Sequence, residues 1–204
     1  MKQLDEIDSK SLLIQNGIPV PKGQILSGAE DEIRISPPWV LKACYPGLAH
    51  KSEMGAVVVG IRDLDELNNH LWRMKSTFPD ARYLLEEMVS GVVEVIMGVI
   101  TDRTFGQVFM IGLGGYFAEI LGDVTFRKIP VLRVDLEEMI NDLRYSDVLK
   151  GFRGQPDVTD HLIEVGLRVS EMARRMRIVE MDLNPVTFWN EGASVLDAKI
   201  TVME

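Results

Sequence analysis

The sequence is poor in cysteine: Cys44 is the single one among 204 residues. One thiol excludes an intramolecular disulfide, and it fits a reducing compartment, so we expect a cytoplasmic location. We recognise no secretory signal in the sequence, which agrees with that location. There is no run of 18 apolar residues, so no membrane-spanning helix is predicted. Cys44 lies beside a predicted strand, and we interpret it as a small apolar filler.

Positive charge is also scarce. Lys and Arg number 22 against 31 Asp and Glu, which gives a net charge of −9. An acidic chain without a basic run is a poor partner for nucleic acid or for an anionic membrane. Any phosphate-binding site must therefore be built locally, from a few cations and backbone N–H groups.

The pattern of apolar residues predicts an α+β fold. Strands are predicted at 39–43, 55–61, 83–89, 92–101, 107–111, 179–183 and 194–202, and helices at 5–16, after Asp63, at 136–143 and at 158–176. Paired strands mix with helices without strict β-α-β alternation. A boundary near 79–82 would give an N-terminal lobe of residues 1–80 and a C-terminal lobe of residues 81–204. A cleft between two such lobes is the default ligand site.

Capping residues support the predicted helices. Asp5 or Asp8 can cap the first helix, and Asp63 with Glu66 has the spacing of a capping box. Asp135 is expected to cap the helix at 136–143. Leu67, Leu71 and Met74 recur at helical spacing and predict one apolar face.

A glycine-rich stretch follows the predicted strand at 107–111. Gly114 and Gly115 would let backbone N–H groups approach an anion, and Glu119, Arg127 and Lys128 follow. The pattern is neither the dinucleotide fingerprint nor a P-loop. The alternative is an ordinary tight turn with a charged exterior.

Two lysines and a histidine cluster between the first two strands. Lys42 ends an apolar strand, and Lys51 follows nine residues later. A lysine that leaves a buried strand is a point charge suited to phosphate, and the alternative is an edge lysine whose side chain reaches water. His50 can act as base, ligand or nucleophile, and as nucleophile it can accept a phosphoryl group. An exposed loop histidine is the alternative.

Carboxylates on apolar strands form the remaining candidates. Glu86, Glu87 and Glu94 either face solvent or point into a cleft. Asp182 and Asn184 share a strand face because they are two residues apart, and Asp197 returns on the neighbouring strand. Together they can hold Mg²⁺, which prefers oxygen ligands and keeps phosphate and water. The alternative is a turn at Asn184-Pro185 with a solvated Asp182.

Taken in order, these pieces resemble one family. The pieces are V-L-K at 40–42, H-K-S-E-M-G at 50–55, L-E-E-M-V at 85–89, F-G and G-L-G-G within 105–115, D-V-T-F-R at 123–127, G-F-R-G at 151–154 and D-L-N-P at 182–185. The sequence is similar over nearly its whole length to the ATP-grasp domain of ADP-forming acyl-CoA synthetases. This is the β-subunit type, related to the β subunit of succinyl-CoA synthetase.

The resemblance implies a nucleotide, ATP or ADP, held between two α+β lobes. The resemblance implies phosphate contact for Lys42, with Lys51 nearby. It implies that the segment of Glu86, Glu87, Met88 and Val89 meets adenine through backbone groups, with Glu94 near the ribose side. It also implies Mg²⁺ binding by Asn184 and Asp197 with Asp182 beside them, a phosphate path at Gly114 and Gly115 lined by Glu119 and Arg127, and transient phosphorylation of His50. Each role is an expectation carried by similarity.

The implied reaction converts acyl-CoA, ADP and phosphate into the free acid, CoA and ATP. CoA binding would belong to a separate α subunit, and His50 would carry the phosphoryl group from that partner to ADP. Two alternatives stay open. One is an ATP-grasp carboxylate ligase without a phosphohistidine. The other is a non-catalytic ATP-grasp module that only docks on a CoA-binding partner.

Overall fold

A computed structural model describes residues 1–28, 31–47, 54–114 and 122–203. The chain forms two compact units. The small unit contains Leu4–Asp8 and Pro21–Val89, and the large unit contains Met1–Gln3, Ser9–Val20 and Ser90–Glu204. The longest segments of the two units meet between residues 89 and 90, whereas the expected boundary was near 79–82. The physical reason is that the strand beginning at Arg82 pairs with strands of the small unit.

The small unit is built on a four-stranded antiparallel sheet. Its strands are β2 (Gly23–Leu26), β3 (Trp39–Cys44), β4 (Val57–Ile61) and β5 (Arg82–Glu87), in the order β2-β5-β3-β4. Helix α2 (Leu64–Thr77) follows β4. It begins at the predicted capping box: Asp63 Oδ1 accepts the N–H of Glu66, and Glu66 Oε2 accepts the N–H of Arg62, both at 2.8 Å. The N–H of Glu66 in the first turn and the N–H of Arg62 just before the cap are thus satisfied.

One face of this sheet packs on α2. The predicted stripe of Leu67, Leu71 and Met74 is buried in a cluster that includes Leu41 and Leu85 from the sheet. Burial of such a stripe, at about 25 cal/mol per Å² of apolar area, is what holds an amphipathic helix on a sheet. The periodicity prediction is confirmed.

The opposite face of the small sheet meets the start of helix α1 (Glu6–Gln15). Asp5 Oδ1 accepts the N–H of Asp8 at 2.9 Å, so Asp5 is the cap of this helix. Ile7 packs against Cys44 and Leu84. Because side chains alternate along β3, Lys42 shares this face with Cys44.

The large unit contains a seven-stranded sheet whose pairs are all antiparallel. Its strands are β1 (Lys2–Gln3), β6 (Val93–Asp102), β7 (Gly106–Leu113), β8 (Val124–Lys128), β9 (Ile178–Trp189), β10 (Gly192–Val195) and β11 (Ala198–Val202). The order is β1-β11-β9-β6-β7-β8, and β10 pairs with β9 as well. Strand β8 was not among the predicted strands. The mixture of antiparallel sheets and helices confirms the α+β class.

Helices α3 (Arg133–Asp142) and α4 (Thr159–Arg175) cover one face of this sheet. A Cβ added at Gly166 of α4 would stand 3.1 Å from Leu136 of α3 and 3.6 Å from Phe109 of β7. The glycine thus permits close packing of helix, helix and sheet. The apolar side of α4 faces the sheet, and its residues Leu162, Val165, Val169 and Met172 are buried. We call this side of the large sheet the helix face.

Two local predictions in the large unit are wrong. Helix α3 begins at Arg133, and Asp135 sits in its first turn, where Oδ2 accepts the N–H of Leu132 at 2.6 Å. The expected turn at Asn184-Pro185 lies inside the twelve-residue strand β9. There the pairing with β6 shifts, because residues 184 and 185 oppose only Ile96. Such a bulge accommodates a proline, which has no N–H to give to the ladder.

Within the described part of the chain, no helix has the length and apolar character needed to cross a membrane.

Candidate active site

The face of the large sheet opposite the helices carries the predicted metal ligands. Asp182 and Asn184 of β9 are exposed, while Met181 and Leu183 between and beside them are buried. Cross-strand pairing places Lys199, Asp182, Gly98, Met110 and Phe126 in one row across β11, β9, β6, β7 and β8. Directly paired residues point to the same side of a sheet. We call this side the open face.

Asp197 joins Asn184 at the end of this face. The N–H of Asn184 donates to the carbonyl oxygen of Asp197 at 3.2 Å, and Asp197 is half-buried just before β11. Two carboxylates and one amide therefore lie on neighbouring segments, as the alternation of the sequence predicted. Asp182 also has Lys199 directly across from it.

This donor set fits Mg²⁺. Carboxylate and amide oxygens are hard ligands, and Mg²⁺ in nucleotide sites takes only one or two protein carboxylates because phosphates and water fill the rest. Among the residues that the structure describes, no group of three or more His, Cys, Asp or Glu forms a self-contained metal cage. A site with two Asp and one Asn thus needs a ligand that brings its own oxygens.

Glu94 and Gly114 border the same face. Glu94 is exposed on β6 opposite Thr187, and the N–H of Gly114 donates to the Glu94 carbonyl at 2.7 Å. A Cβ on Gly114 would stand 2.9 Å from the Glu94 carbonyl carbon. Glycine is required here because β6 and the end of β7 approach so closely. Gly114, predicted as a turn glycine, therefore allows β6 and the end of β7 to lie close together.

Lys42 lies in the small unit and is buried. Its Nζ stands 2.6 Å from Glu6 Oε1 and 2.9 Å from Glu86 Oε2. An edge lysine that reaches water is excluded, because only 8% of this side chain is exposed. The ammonium is held between two carboxylates, one from the start of α1 and one from β5.

The segment 86–89 begins in strand β5, which pairs with the strand that carries Lys42, and continues past its end. The N–H of Glu87 donates to the Lys22 carbonyl at 2.9 Å, and the N–H of Met88 donates to the Pro38 carbonyl at 2.8 Å. These two donors are engaged within the small unit. Met88 is exposed and Val89 is half-buried, so their side chains leave apolar surface at the end of this segment.

Arg127 does not lie on the open face. It pairs with Phe109 in the row that continues through Val99 and Met181, which is the row of the helix face. Its guanidinium donates to Asp142 Oδ2 of α3 at 2.9 Å. Hydrogen bonding to this carboxylate raises the pKa of Arg127. Strand alternation therefore turns the Arg127 side chain to the face opposite Asp182, and its place on a phosphate path stays a prediction.

Four of the predicted site residues lie outside the described residues: His50, Lys51, Gly115 and Glu119. The structure carries no statement about them.

Two residues of α1 were missed by the sequence analysis. Glu6 contacts Lys42, and Lys10 donates from Nζ to the Leu196 carbonyl at 2.8 Å, directly before Asp197. Both are buried, with 3% and 4% of the residue exposed. Their four-residue spacing on a helix was visible, but their partners are 36 and 186 residues away, so local pattern gave no signal.

Comparison with known proteins gives one consistent family. The ATP-grasp domain family matches residues 1–202. The chain is 35% identical to the ADP-forming acetate–CoA ligase II of Archaeoglobus fulgidus, covering 98% of this chain and 30% of that protein. It is also 35% identical to the β subunit of the ADP-forming acetate–CoA ligase II of Pyrococcus furiosus, covering 96% of this chain and 89% of that subunit.

Solved structures agree. The dinucleotide-forming acetyl-CoA synthetase 1 of Candidatus Korarchaeum cryptofilum, in complex with CoA and Ca-AMPCP, matches with a TM-score of 0.91 and 33% identity, covering 99% of this chain and 94% of that chain. Another structure of that enzyme, with CoA and Mg-AMPPCP, matches with a TM-score of 0.86 and is described as having its phosphohistidine segment pointing towards the nucleotide-binding site. Family, relatives and fold together show that this chain belongs to the ATP-grasp domain family and is similar to the β subunits of ADP-forming acetate–CoA ligases.

Proposed function

We propose that this chain is the ATP-grasp subunit of an enzyme that converts acyl-CoA, ADP and phosphate into a carboxylic acid, CoA and ATP. The proposal rests on family membership and on one observation above all. Asp182, Asn184 and Asp197 lie on neighbouring segments of the large sheet, and Glu94 is exposed on the adjacent strand β6. This is a donor set suited to a magnesium nucleotide. A cytoplasmic location belongs to the same proposal.

The residues of the site then take distinct roles. Asp182, Asn184 and Asp197 would hold Mg²⁺, which when bound neutralises phosphate charge. Glu94 would hydrogen-bond on the ribose side, and the segment 86–89 would cover the base. Lys42 would meet the phosphates, with Lys51 and the stretch containing Gly115 and Glu119 near the path. Arg127 is left to its ion pairs with α3.

His50 would carry the phosphoryl group. In the partner subunit, phosphate displaces CoA from acyl-CoA and gives an acyl phosphate. An imidazole nitrogen of His50 attacks phosphorus, the P–O bond to the acyl group breaks and the acid leaves. A β-phosphate oxygen of ADP then attacks the phosphohistidine, and the P–N bond breaks to give ATP. Each transfer depends mainly on positioning and charge neutralisation.

A CoA-binding α subunit is the implied partner. The Pyrococcus furiosus relative is named a subunit β, and the present chain spans 89% of it. The Archaeoglobus fulgidus relative is more than three times longer, since the chain spans 30% of it. We infer that the CoA-binding part corresponds to the remainder of the longer relative.

The decisive test is transfer of label from γ-labelled ATP to the purified chain, with Mg²⁺, with and without the α partner. We expect acid-labile, base-stable label on the wild type and none on His50→Ala. Absence of label under every condition, with the partner present, would refute phosphoryl transfer. Full acyl-CoA synthesis by His50→Ala would instead support a ligase without a phosphohistidine.

The metal site has its own test. Asp197→Asn is expected to raise the Mg²⁺ concentration needed for half-maximal ADP binding by about tenfold, because one charged ligand is lost. Asp160→Asn is a matched control, since Asp160 is a carboxylate on α4, on the helix face. Equal Mg²⁺ dependence of the two variants would contradict the assignment.

A further inference from the structure

The connection between β10 and β11 carries Asp197, a proposed ligand of Mg²⁺. Strand β10 ends at Val195 and β11 begins at Ala198, so only Leu196 and Asp197 lie between the two strands. On so short a connection the direction of a side chain follows from the planar peptide groups on either side of its Cα. Whatever fixes those peptide groups therefore decides where the Asp197 carboxylate points.

Two of these peptide groups are held by strand β9. The N–H of Leu196 donates to the Pro185 carbonyl at 2.9 Å, and the Asp197 carbonyl accepts the N–H of Asn184 at 3.2 Å. These bonds hold the peptide group before Leu196 and the one after Asp197. They tie the connection to the part of β9 that carries Asn184, a second proposed ligand of Mg²⁺.

The peptide group between Leu196 and Asp197 is held by a side chain, that of Lys10. The Nζ atom of Lys10 donates to the Leu196 carbonyl at 2.8 Å, across 186 residues of sequence. This carbonyl and the N–H of Asp197 belong to one planar group, so the ammonium orients the plane from which the Asp197 side chain departs. Charged donors make stronger hydrogen bonds than neutral ones, which suits Lys10 to this task.

Lys10 is itself placed by the packing of α1 and of the segment that follows it. Only 4% of Lys10 is exposed, and Leu13, one helical turn further, is fully buried. After the helix, the Pro19 carbonyl accepts the N–H of Val195 at 2.9 Å. All of these residues, with Asp197, belong to the large unit. Burial of a lysine costs solvation energy that an apolar residue would not lose, so its retention here fits a specific task for the ammonium.

We propose that Lys10 is a positioning residue of the magnesium site, which orients Asp197 toward the metal through the Leu196 carbonyl. The inference rests on the proposed function, in which Asp197 is a ligand of Mg²⁺. Replacing a residue that orients a metal ligand typically weakens metal binding by about 10–100-fold. Because Lys10 acts through Asp197, its replacement should weaken Mg²⁺ binding and leave the binding of metal-free nucleotide unchanged.

The test compares ADP binding by the full chain and by Lys10→Met over a range of Mg²⁺ concentrations, measured by titration calorimetry. Methionine keeps an unbranched apolar side chain and removes the ammonium. We expect the Mg²⁺ concentration for half-maximal ADP binding to rise at least about fivefold. ADP binding in EDTA should be equal for the two proteins, whereas a general loss of packing would weaken both kinds of binding.

A double-mutant cycle with Asp197→Asn shows whether Lys10 acts through this ligand. Asp197→Asn alone is expected to raise the Mg²⁺ requirement about tenfold. If Lys10 orients Asp197, adding Lys10→Met should leave the requirement at about tenfold, whereas independent effects would multiply to about fiftyfold.

Two further variants complete the design. Lys75→Met removes a lysine whose Nζ also donates to a backbone carbonyl, that of Ser27 at 2.6 Å, and should leave the Mg²⁺ requirement unchanged. Lys10→Gln is uncharged and ends one atom short of lysine, so it should raise the Mg²⁺ requirement in the same direction as Lys10→Met. It tests the inference if the methionine variant does not fold.

The possible results distinguish this inference from the proposed function. An unchanged Mg²⁺ requirement in the Lys10 variants overturns the inference, and so does a requirement that multiplies in the double variant. Equal weakening of metal-free ADP binding also overturns it, because Lys10 would then support the fold in general. In these cases Mg²⁺-dependent ADP binding by the wild type leaves the proposed function standing. A wild type that binds no ADP at any Mg²⁺ concentration overturns both.

Discussion

Replacing Arg127 with methionine separates the role implied by family resemblance from the role seen in the structure. The side chain lies on the helix face, where Asp142 stands 2.9 Å and Glu138 3.6 Å from the guanidinium. Methionine keeps the apolar part of the side chain and removes the charge. The structure predicts a small loss of stability and no loss of nucleotide binding.

The two roles of Arg127, a surface ion pair or a cation at the transferred phosphoryl group, predict losses of clearly different size. The Arg127 side chain is 32% exposed, and its two partners are 57% and 62% exposed. Exposed pairs contribute about 0.2–1 kcal/mol each, so Arg127→Met should cost about 1 kcal/mol of unfolding free energy. A cation that neutralised the transferred phosphoryl group would instead lose on the order of 100-fold or more in rate.

The assay compares urea denaturation, MgADP affinity and the rate of His50 labelling in two variants. Arg133→Met is the control, because Arg133 is an exposed arginine of α3 paired with Asp160 at 3.0 Å. We expect both variants to behave alike in all three measurements. A tenfold or greater loss of labelling or affinity in Arg127→Met alone would show that Arg127 reaches the nucleotide, and the assignment to the helix face would fail.

Three further predictions concern stability. Tyr83 donates to the Phe78 carbonyl at 2.6 Å, so Tyr83→Phe should cost about 1–2 kcal/mol at pH 7 by urea denaturation. Burial raises the pKa of Tyr83, so the stabilisation that its neutral hydroxyl gives is complete below the unfolded pKa of about 10 and is lost as the pH rises further. The difference in unfolding free energy between wild type and Tyr83→Phe should therefore shrink at higher pH. A difference that stays constant would contradict this. Gly114→Ala should cost about 1–3 kcal/mol, because its Cβ would stand 3.0 Å from the Glu94 carbonyl oxygen; a midpoint equal to that of the wild type would show that β6 and β7 yield freely. Hydrogen bonds from the Thr159 hydroxyl and N–H lower the pKa of Asp157, so this carboxylate stabilises the fold above pH of about 4 and ceases to do so as the pH falls. The melting temperature of Asp157→Asn should therefore fall less steeply with decreasing pH than that of the wild type. Parallel acid-side curves for the two proteins would exclude the effect.

Local patterns predicted the parts of the fold that local physics determines. The capping box of Asp63 and Glu66 and the stripe from Leu67 to Met74 follow from helical geometry within a few residues. The common face of Asp182 and Asn184 follows from the two-residue period of a strand. The family resemblance then supplied the ligand that such oxygens suit.

Features that depend on distant pairing were not predictable in this way. The side on which Arg127 lies depends on its register with Phe109, and β8 was not recognised as a strand. The predicted boundary near 79–82 differs from the observed one because β5 pairs with β2 and β3 of the small sheet. The bulge at residues 184 and 185 arises from pairing with β6, whereas Asn-Pro by itself is typical of a turn.

The packing of Cys44 has a practical consequence. It is the single thiol of the chain and is 1% exposed, covered by Ile7 from the segment that also carries Glu6. Among the described residues Ile7 covers it from outside the sheet, so a thiol reagent gains access when residues 4–8 lift from the small sheet. The rate of alkylation therefore reports how often this segment leaves the sheet, without any introduced label. Slower alkylation at saturating MgADP would show that nucleotide binding holds the segment on the sheet.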